Sequence, residues 1–222
     1  MSVPAGAAAR VRREDLPAVW VRLMRAVGAR DDVTGAGARL VAAYALPARH
    51  HHDLDHLCEV LGHVADLADV AVDPDAVRLA AWYHDAVLEP GSVDDEERSA
   101  GLAARELGRL RLAPALVAEV VRLVRLTADH DPAPHDRDGA VLCDADLAVL
   151  AREPQGYARY VAGVRAERPD LDDEEFRAQR AAVLRGLLAR SVLFRTAPAA
   201  ARWEARARAN VAAELAALDP PP

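Results

Sequence analysis

Residues 53–67, Asp-Leu-Asp-His-Leu-Cys-Glu-Val-Leu-Gly-His-Val-Ala-Asp-Leu, decide the fold class. Leu54, Leu57, Val60, Leu61, Val64 and Leu67 recur at three- and four-residue steps, the period of one helix face. Asp53 ahead of them is a natural N-cap, because its carboxylate can accept the free amides of the first turn. The same period extends in both directions. Leu16, Val19, Trp20, Leu23 and Val27 predict a helix over 16–27, and a second over about 35–45 stops before Pro47, which disfavours a helical residue ahead of it. Asp73-Pro74 reads as N-cap and first residue of a helix ending near Val87. Four consecutive acids, Asp94 to Glu97, open a helix over 94–107, where they suit the positive end of its dipole. Further helices are predicted at about 114–128, 139–151, 154–167, 171–195 and 197–218. Residues 129–138, with two prolines and two histidines, form the longest irregular connection. No alternating strand pattern and no repeat is found. The expectation is one all-α domain over 1–222, a helical bundle. Residues 1–45 are its N-terminal cover, 46–151 its central part, 152–219 its C-terminal helices and 220–222 a disordered tail.

Composition excludes several chemistries. The 222 residues carry 28 basic and 35 acidic side chains, a net charge of −7. All the basic residues are arginine, so a lysine nucleophile, a Schiff base and a Walker-type phosphate lysine are ruled out. The acidic balance argues against a general nucleic-acid binder. Cys58 and Cys143 lack CxxC partners and sit in apolar helical patterns, which reads as two buried free thiols in a reducing compartment. No apolar run reaches about 18 residues and Met1 to Arg13 has no hydrophobic signal core, so a soluble cytoplasmic protein without a membrane partner is expected. A homodimer is compatible with the sequence.

The chemistry concentrates where ionisable groups interrupt apolar helices. Four of the eight histidines lie in Arg49-His50-His51-His52-Asp53-Leu54-Asp55-His56. His52 and His56 stand four apart at a helix entrance and can point the same way, which suits a metal ligand beside a free imidazole, or simply a capped helix. His84 and Asp85 end the apolar run Ala81-Trp82-Tyr83, a costly placement unless a cation or a mutual hydrogen bond compensates. Asp144 and Asp146 interrupt Leu142 to Leu150 in the same way. Two imidazoles and two carboxylates would suit Mn, Fe, Co, Ni, Zn or Mg rather than copper(I). His63 reads as a surface or core histidine and His135 as solvated. The arginines at 202, 206 and 208 read as pairing within their own helix with Glu204 and Glu214. Tyr157, Tyr160, Phe176, Phe194 and Trp203 read as core.

In this order, His … His-Asp … Asp on an all-α scaffold, the chain resembles the HD superfamily of metal-dependent phosphohydrolases. It is most similar to a bacterial branch reading R-H-Y-H-N-L-x-H, F-H-D, D-N-E-E-R-S-A, T-x-x-H, D-x-D-L and E-x-x-x-A-R-x-N-L. The matching stretches are Arg49 to His56, Tyr83 to Asp85, Asp94 to Ala100, Thr127 to His130, Asp144 to Leu147 and Glu204 to Val211, which span about 45–215. His51 departs from the aromatic, and Asp53 and Asp95 from the two asparagines.

The resemblance implies an HD-type bundle holding one or two divalent ions. It implies His56, His84, Asp85 and Asp146 as ligands, with Asp144 the alternative for the last. His52 would be the general acid, by similarity to the Y-H-N-x-x-H element of cyclic-nucleotide phosphodiesterases. Asp85 would also act on the water and Glu97 would position it, whereas a solvated helix N-terminus explains Glu97 equally well. Arg49, Arg98, Thr127 and His130 would bind the substrate phosphate, with a second metal as another use of His130. The implied activity is hydrolysis of a small phosphomonoester or nucleotide. An HD-type di-iron oxygenase and a non-catalytic ligand-binding module are the competing implications.

Overall fold

The structure, a computed structural model, describes residues 11–30 and 32–218. The tail expected at 220–222 lies outside them. Among the described residues the regular elements are all helical. They are α1 (Leu16–Ala26), α2 (Thr34–Tyr44), α3 (Leu54–Asp66), α4 (Pro74–Tyr83), α5 (Asp95–Arg109), α6 (Pro114–Leu126), α7 (Arg137–Leu147), α8 (Pro154–Ala166), α9 (Asp173–Ala189) and α10 (Ala197–Leu218), with short 3-10 turns at Arg13–Asp15 and Ala148–Ala151. None of them is long and apolar enough to cross a membrane.

Helix α4 is the axis. Ala76, Val77, Leu79, Ala80, Ala81, Trp82 and Tyr83 are all buried, only the Asp75–Arg78 pair marks a partly exposed polar edge, and α1, α3, α5, α6 and α7 pack around the helix. Its alanines let neighbours approach closely, and Ala100 and Ala103 do the same on α5. Trp20 of α1 closes one end, edge-on to Trp82 at 5.2 Å between ring centroids. Full burial of side chains of this size contributes roughly 1.5–3 kcal/mol each. Because α4 runs through the middle, the residues after Tyr83 are delivered to the interior. These are His84 and Asp85.

Two predicted helices end early. The segment expected to reach Val87 stops at Tyr83, because the next groups leave the helical ladder. The carbonyls of Asp85 and Ala86 accept from Arg49, and the Val87 amide donates to Ser99 Oγ. The helix expected to reach 195 stops at Ala189: Arg190 is extended, and the amides of Leu193 and Phe194 donate to Glu204. Asp53 caps α3 as expected, accepting from the amides of Asp55 and His56.

Helices α8, α9 and α10 are tied by a buried polar cluster. Arg180 donates to both Glu214 oxygens at 2.8 and 3.1 Å and to Tyr160, while Tyr157 donates to Glu214 at 2.5 Å. The intrahelical pairing expected along α10 therefore holds only for Arg208 with Glu204. Arg202 pairs with Asp66, Arg206 with Glu153 and Glu214 with Arg180, because a long helix in contact with several elements meets their charges first. The aromatics at 157, 160, 176, 194 and 203 are buried, as are both free cysteines, and His63 packs edge-on to Trp203. Gly163 matters to the site. A Cβ there would stand 2.8 Å from the His50 carbonyl, so only glycine lets α8 lie this close to the 50–52 turn.

Candidate metal centre

Three helices deliver four donors to one point. His56 comes from the first turn of α3, His84 and Asp85 from the end of α4, and Asp146 from the last turn of α7. His56 and His84 are buried, and Asp85 and Asp146 keep only a small exposed fraction. The two Nε2 atoms face each other at 3.2 Å. Asp146 Oδ1 lies 3.1 Å from His56 Nε2 and 3.6 Å from His84 Nε2, and Asp85 Oδ2 lies 3.4 and 3.0 Å from the same atoms. Ligand atoms held at about 2.1 Å from one ion stand about 3.0 Å apart at a right angle and about 3.4 Å apart at the tetrahedral angle. The separations among His56, His84 and Asp146 are close to that shell, and these three could hold a metal ion, with Asp85 beside the two imidazoles.

Two further observations favour a cation over a hydrogen-bonded core. First, His84 Nδ1 lies 2.9 Å from the Ala81 carbonyl, which can only accept, so Nδ1 carries a proton and Nε2 is the nitrogen turned inward, where its lone pair becomes available once any proton on it is displaced. Second, Asp85 Oδ2 is buried within 3.4 Å of both imidazoles but makes no well-aligned hydrogen bond to either. A carboxylate oxygen in that position needs a positive charge. Protons are the alternative source of charge. Burial lowers the His56 pKa, but Asp146 and Asp85 outweigh it and lift it to about 9. Burial likewise opposes ionisation of Asp85, yet His84 and His52 hold it well below the carboxylate range. A cation therefore has to displace protons from this cluster.

Asp144 stands apart: it is buried, and its two oxygens accept the amides of Arg195 and Thr196 at 2.7 Å each. Asp146 is thus the aspartate in the cluster. His130 reaches it too, with Nε2 2.8 Å from Asp146 Oδ2, from a backbone at φ +50°. That left-handed conformation is strained for a histidine, and the Arg190 bond to the His130 carbonyl helps brace it. His52 lies beside the cluster, its ring 5.7 Å from that of His56.

Other residues singled out from sequence have different surroundings. The Arg49 guanidinium donates to the carbonyls of His52, Asp85 and Ala86 and lies over the Tyr44 ring, so it ties the 49–52 turn to the end of α4. The Thr127 hydroxyl donates to the Val124 carbonyl. Glu97 is half exposed in a two-bond pair with Arg125, and Arg98 pairs with Glu89 and Asp95; neither pairs with the cluster. His51 packs as an aromatic, between the rings of Tyr160, His52 and His56. Burial above all keeps it neutral.

Two contributors carry no signal in the sequence. The Tyr44 hydroxyl accepts from the Asp85 amide and lies 3.3 Å from the Trp82 carbonyl. Glu167, just past α8, accepts the amides of His50, His51 and His52 on Oε1 at 2.7, 2.8 and 3.0 Å, and its Oε2 lies 2.7 Å from His52 Nδ1. Burial would raise its pKa, but the bond and charge of His52 and the backbone amides hold it down to about 2. A carboxylate depressed below its ordinary 4.5 contributes stability that is complete above that pH and is lost as pH falls towards 2. Burial also works against a charged His52, yet Asp85 and Glu167 raise its pKa, so its share is lost only as pH rises through the raised value. Urea unfolding should show a loss on the order of 3 kcal/mol between pH 5 and 2 that Glu167→Gln lacks. Equal acid slopes in the two proteins would contradict the assignment.

Comparison with protein-family models, curated proteins and solved structures finds no match to this chain.

Proposed function

We propose that the protein is an HD-type, metal-dependent phosphohydrolase of a small phosphomonoester or nucleotide. The observation that carries this reading is the convergence of His56, His84 and Asp146, with a buried Asp85 oxygen within 3.4 Å of both imidazoles. The set of two imidazoles and two carboxylates suits Mn, Fe, Co, Ni, Zn or Mg. When bound, such an ion supplies Lewis acidity, acidifying water and neutralising phosphoryl charge.

The chain's own groups supply the rest. Asp85 accepts the proton of the attacking water as its oxygen bonds to phosphorus. His52 gives its Nε2 proton to the oxygen that leaves as the P–O bond breaks, and solvent restores both groups. Arg49 and Tyr44 hold the backbone of Asp85 in place. General-acid help is typically worth about 10²–10⁴ in rate. His52→Ala should therefore keep its metal and lose turnover by about that factor.

The test is metal analysis after reconstitution, with a phosphate-release screen over phosphomonoesters and nucleotides beside a His84→Ala/Asp85→Ala control. A parent protein that takes up no metal would overturn the proposal, and metal without phosphate release would favour a ligand-binding module. His130 beside Asp146 is the one observation favouring the oxygenase reading, which requires two irons per chain and oxygen consumption.

A further inference from the structure

The strongest feature outside the ligand set is the carboxylate of Glu167, 115 residues beyond the histidine it touches. It is buried, and four nitrogens converge on it. Three are successive backbone amides, which fix the path of the 50–52 turn. The fourth is the His52 ring. Since the amides can only donate, Oε1 must be an acceptor. Three amide donors on one oxygen favour the carboxylate over the acid, so Oε2 is an acceptor as well, and at 2.7 Å His52 Nδ1 carries the proton between them.

We infer that Glu167 is a positioning residue that fixes both the orientation of the His52 ring and the nitrogen through which it works. With Nδ1–H held by Glu167, the proton that comes and goes is the one on Nε2. The neutral ring then keeps Nδ1–H and offers Nε2 as acceptor; the charged ring offers Nε2–H as donor. In both states the ring stays aligned. Gly163 makes this possible by letting α8 approach the turn closely enough for the residue four positions later to reach it. The catalytic consequence rests on the proposed role of His52 as proton donor, whereas the tautomer does not.

The chemistry of glutamine separates a clamp from a positioning role. Glu167→Gln has almost the same shape but only one acceptor oxygen. If that oxygen takes the three amides, the NH2 group faces His52 Nδ1, which must then become the acceptor and move its proton to Nε2 in the neutral ring. The opposite orientation sets NH2 against three amide donors and is less favourable. Glu167→Gln therefore keeps the turn and reverses the tautomer of the ring, while Glu167→Ala loses both.

The test uses the full chain labelled with 15N-histidine and loaded with zinc, with His52 assigned through the resonance missing in His52→Ala. Long-range 1H–15N spectra recorded with His52 neutral report which nitrogen is protonated. The expected result is Nδ1–H in the parent and Nε2–H in Glu167→Gln, with zinc content unchanged in both. Nε2–H in the parent, or the same tautomer in both proteins, overturns the inference. In phosphate release from a nucleoside 5′-monophosphate, whose alkoxide needs a proton to leave, Glu167→Gln should lose at least about 10²-fold in kcat with KM unchanged. An unchanged kcat overturns the positioning role. A parent that shows Nδ1–H but releases no phosphate from any ester counts against the hydrolase reading alone, and the hold of Glu167 on the ring stands.

Discussion

His84→Ala is expected to abolish stoichiometric binding of a divalent cation. His84 Nε2 stands 3.0 Å from Asp85, 3.2 Å from His56 and 3.6 Å from Asp146, so it faces all three of the other candidate donors. Its inward direction is set by the Nδ1 bond to the Ala81 carbonyl, one turn back on the same helix. Removing the ring deletes a ligand and leaves two carboxylates facing a single imidazole. The loss of affinity should exceed the roughly 10–100-fold that changes to groups supporting a ligand produce. His130→Ala, which removes only the partner of Asp146 Oδ2, should fall within that range. Metal content by mass spectrometry and titration calorimetry checks both, with circular dichroism to confirm that the helices persist. Parent-like metal content in His84→Ala would place the ion elsewhere.

The second large effect concerns stability. Arg180 and Glu214 are both buried and face each other through two hydrogen bonds, with Tyr157 and Tyr160 completing the cluster. Arg180→Ala strands the Glu214 charge in the interior, a change that costs about 3–5 kcal/mol. For a chain of this size that corresponds to a fall of roughly 6–20 °C in Tm. Removing both charges together, as Arg180→Met/Glu214→Leu, leaves no stranded ion and should recover a large part of the loss. Thermal and urea unfolding of the two variants decides the matter: a single variant within about 1 kcal/mol of the parent would mean the pair is solvated.

The helices are legible in the sequence because their periodicity is local. Leu54 to Leu67 needs no knowledge of the partner helix to show its apolar face, and Asp53 announces itself as a cap. The ends of α4 and α9 are not legible, because their final turns are undone from outside, by Arg49 and Ser99 in one case and by Glu204 in the other. The four donors are visible as polar intrusions in apolar runs. Asp144 and Asp146 sit two residues apart on one helix and so point to different faces, but only the position of residues 195–196 shows that Asp144 is engaged elsewhere. Glu167 sits in Arg165-Ala-Glu-Arg-Pro169, which reads as an ordinary charged helix end. Its role depends wholly on contacts made more than a hundred residues away, and no local pattern encodes that.

That separation has a consequence for how the protein is made. By residue 146 a growing chain already contains every donor of the candidate metal centre. The amides of residues 50–52 and the His52 ring find their acceptor only when residue 167 has been synthesised and α8 has docked. Contacts this distant along the chain close slowly, since each requires a long loop to be restrained. Assembly therefore has an order built into it: the candidate donors can gather first, and the ring beside them is held last.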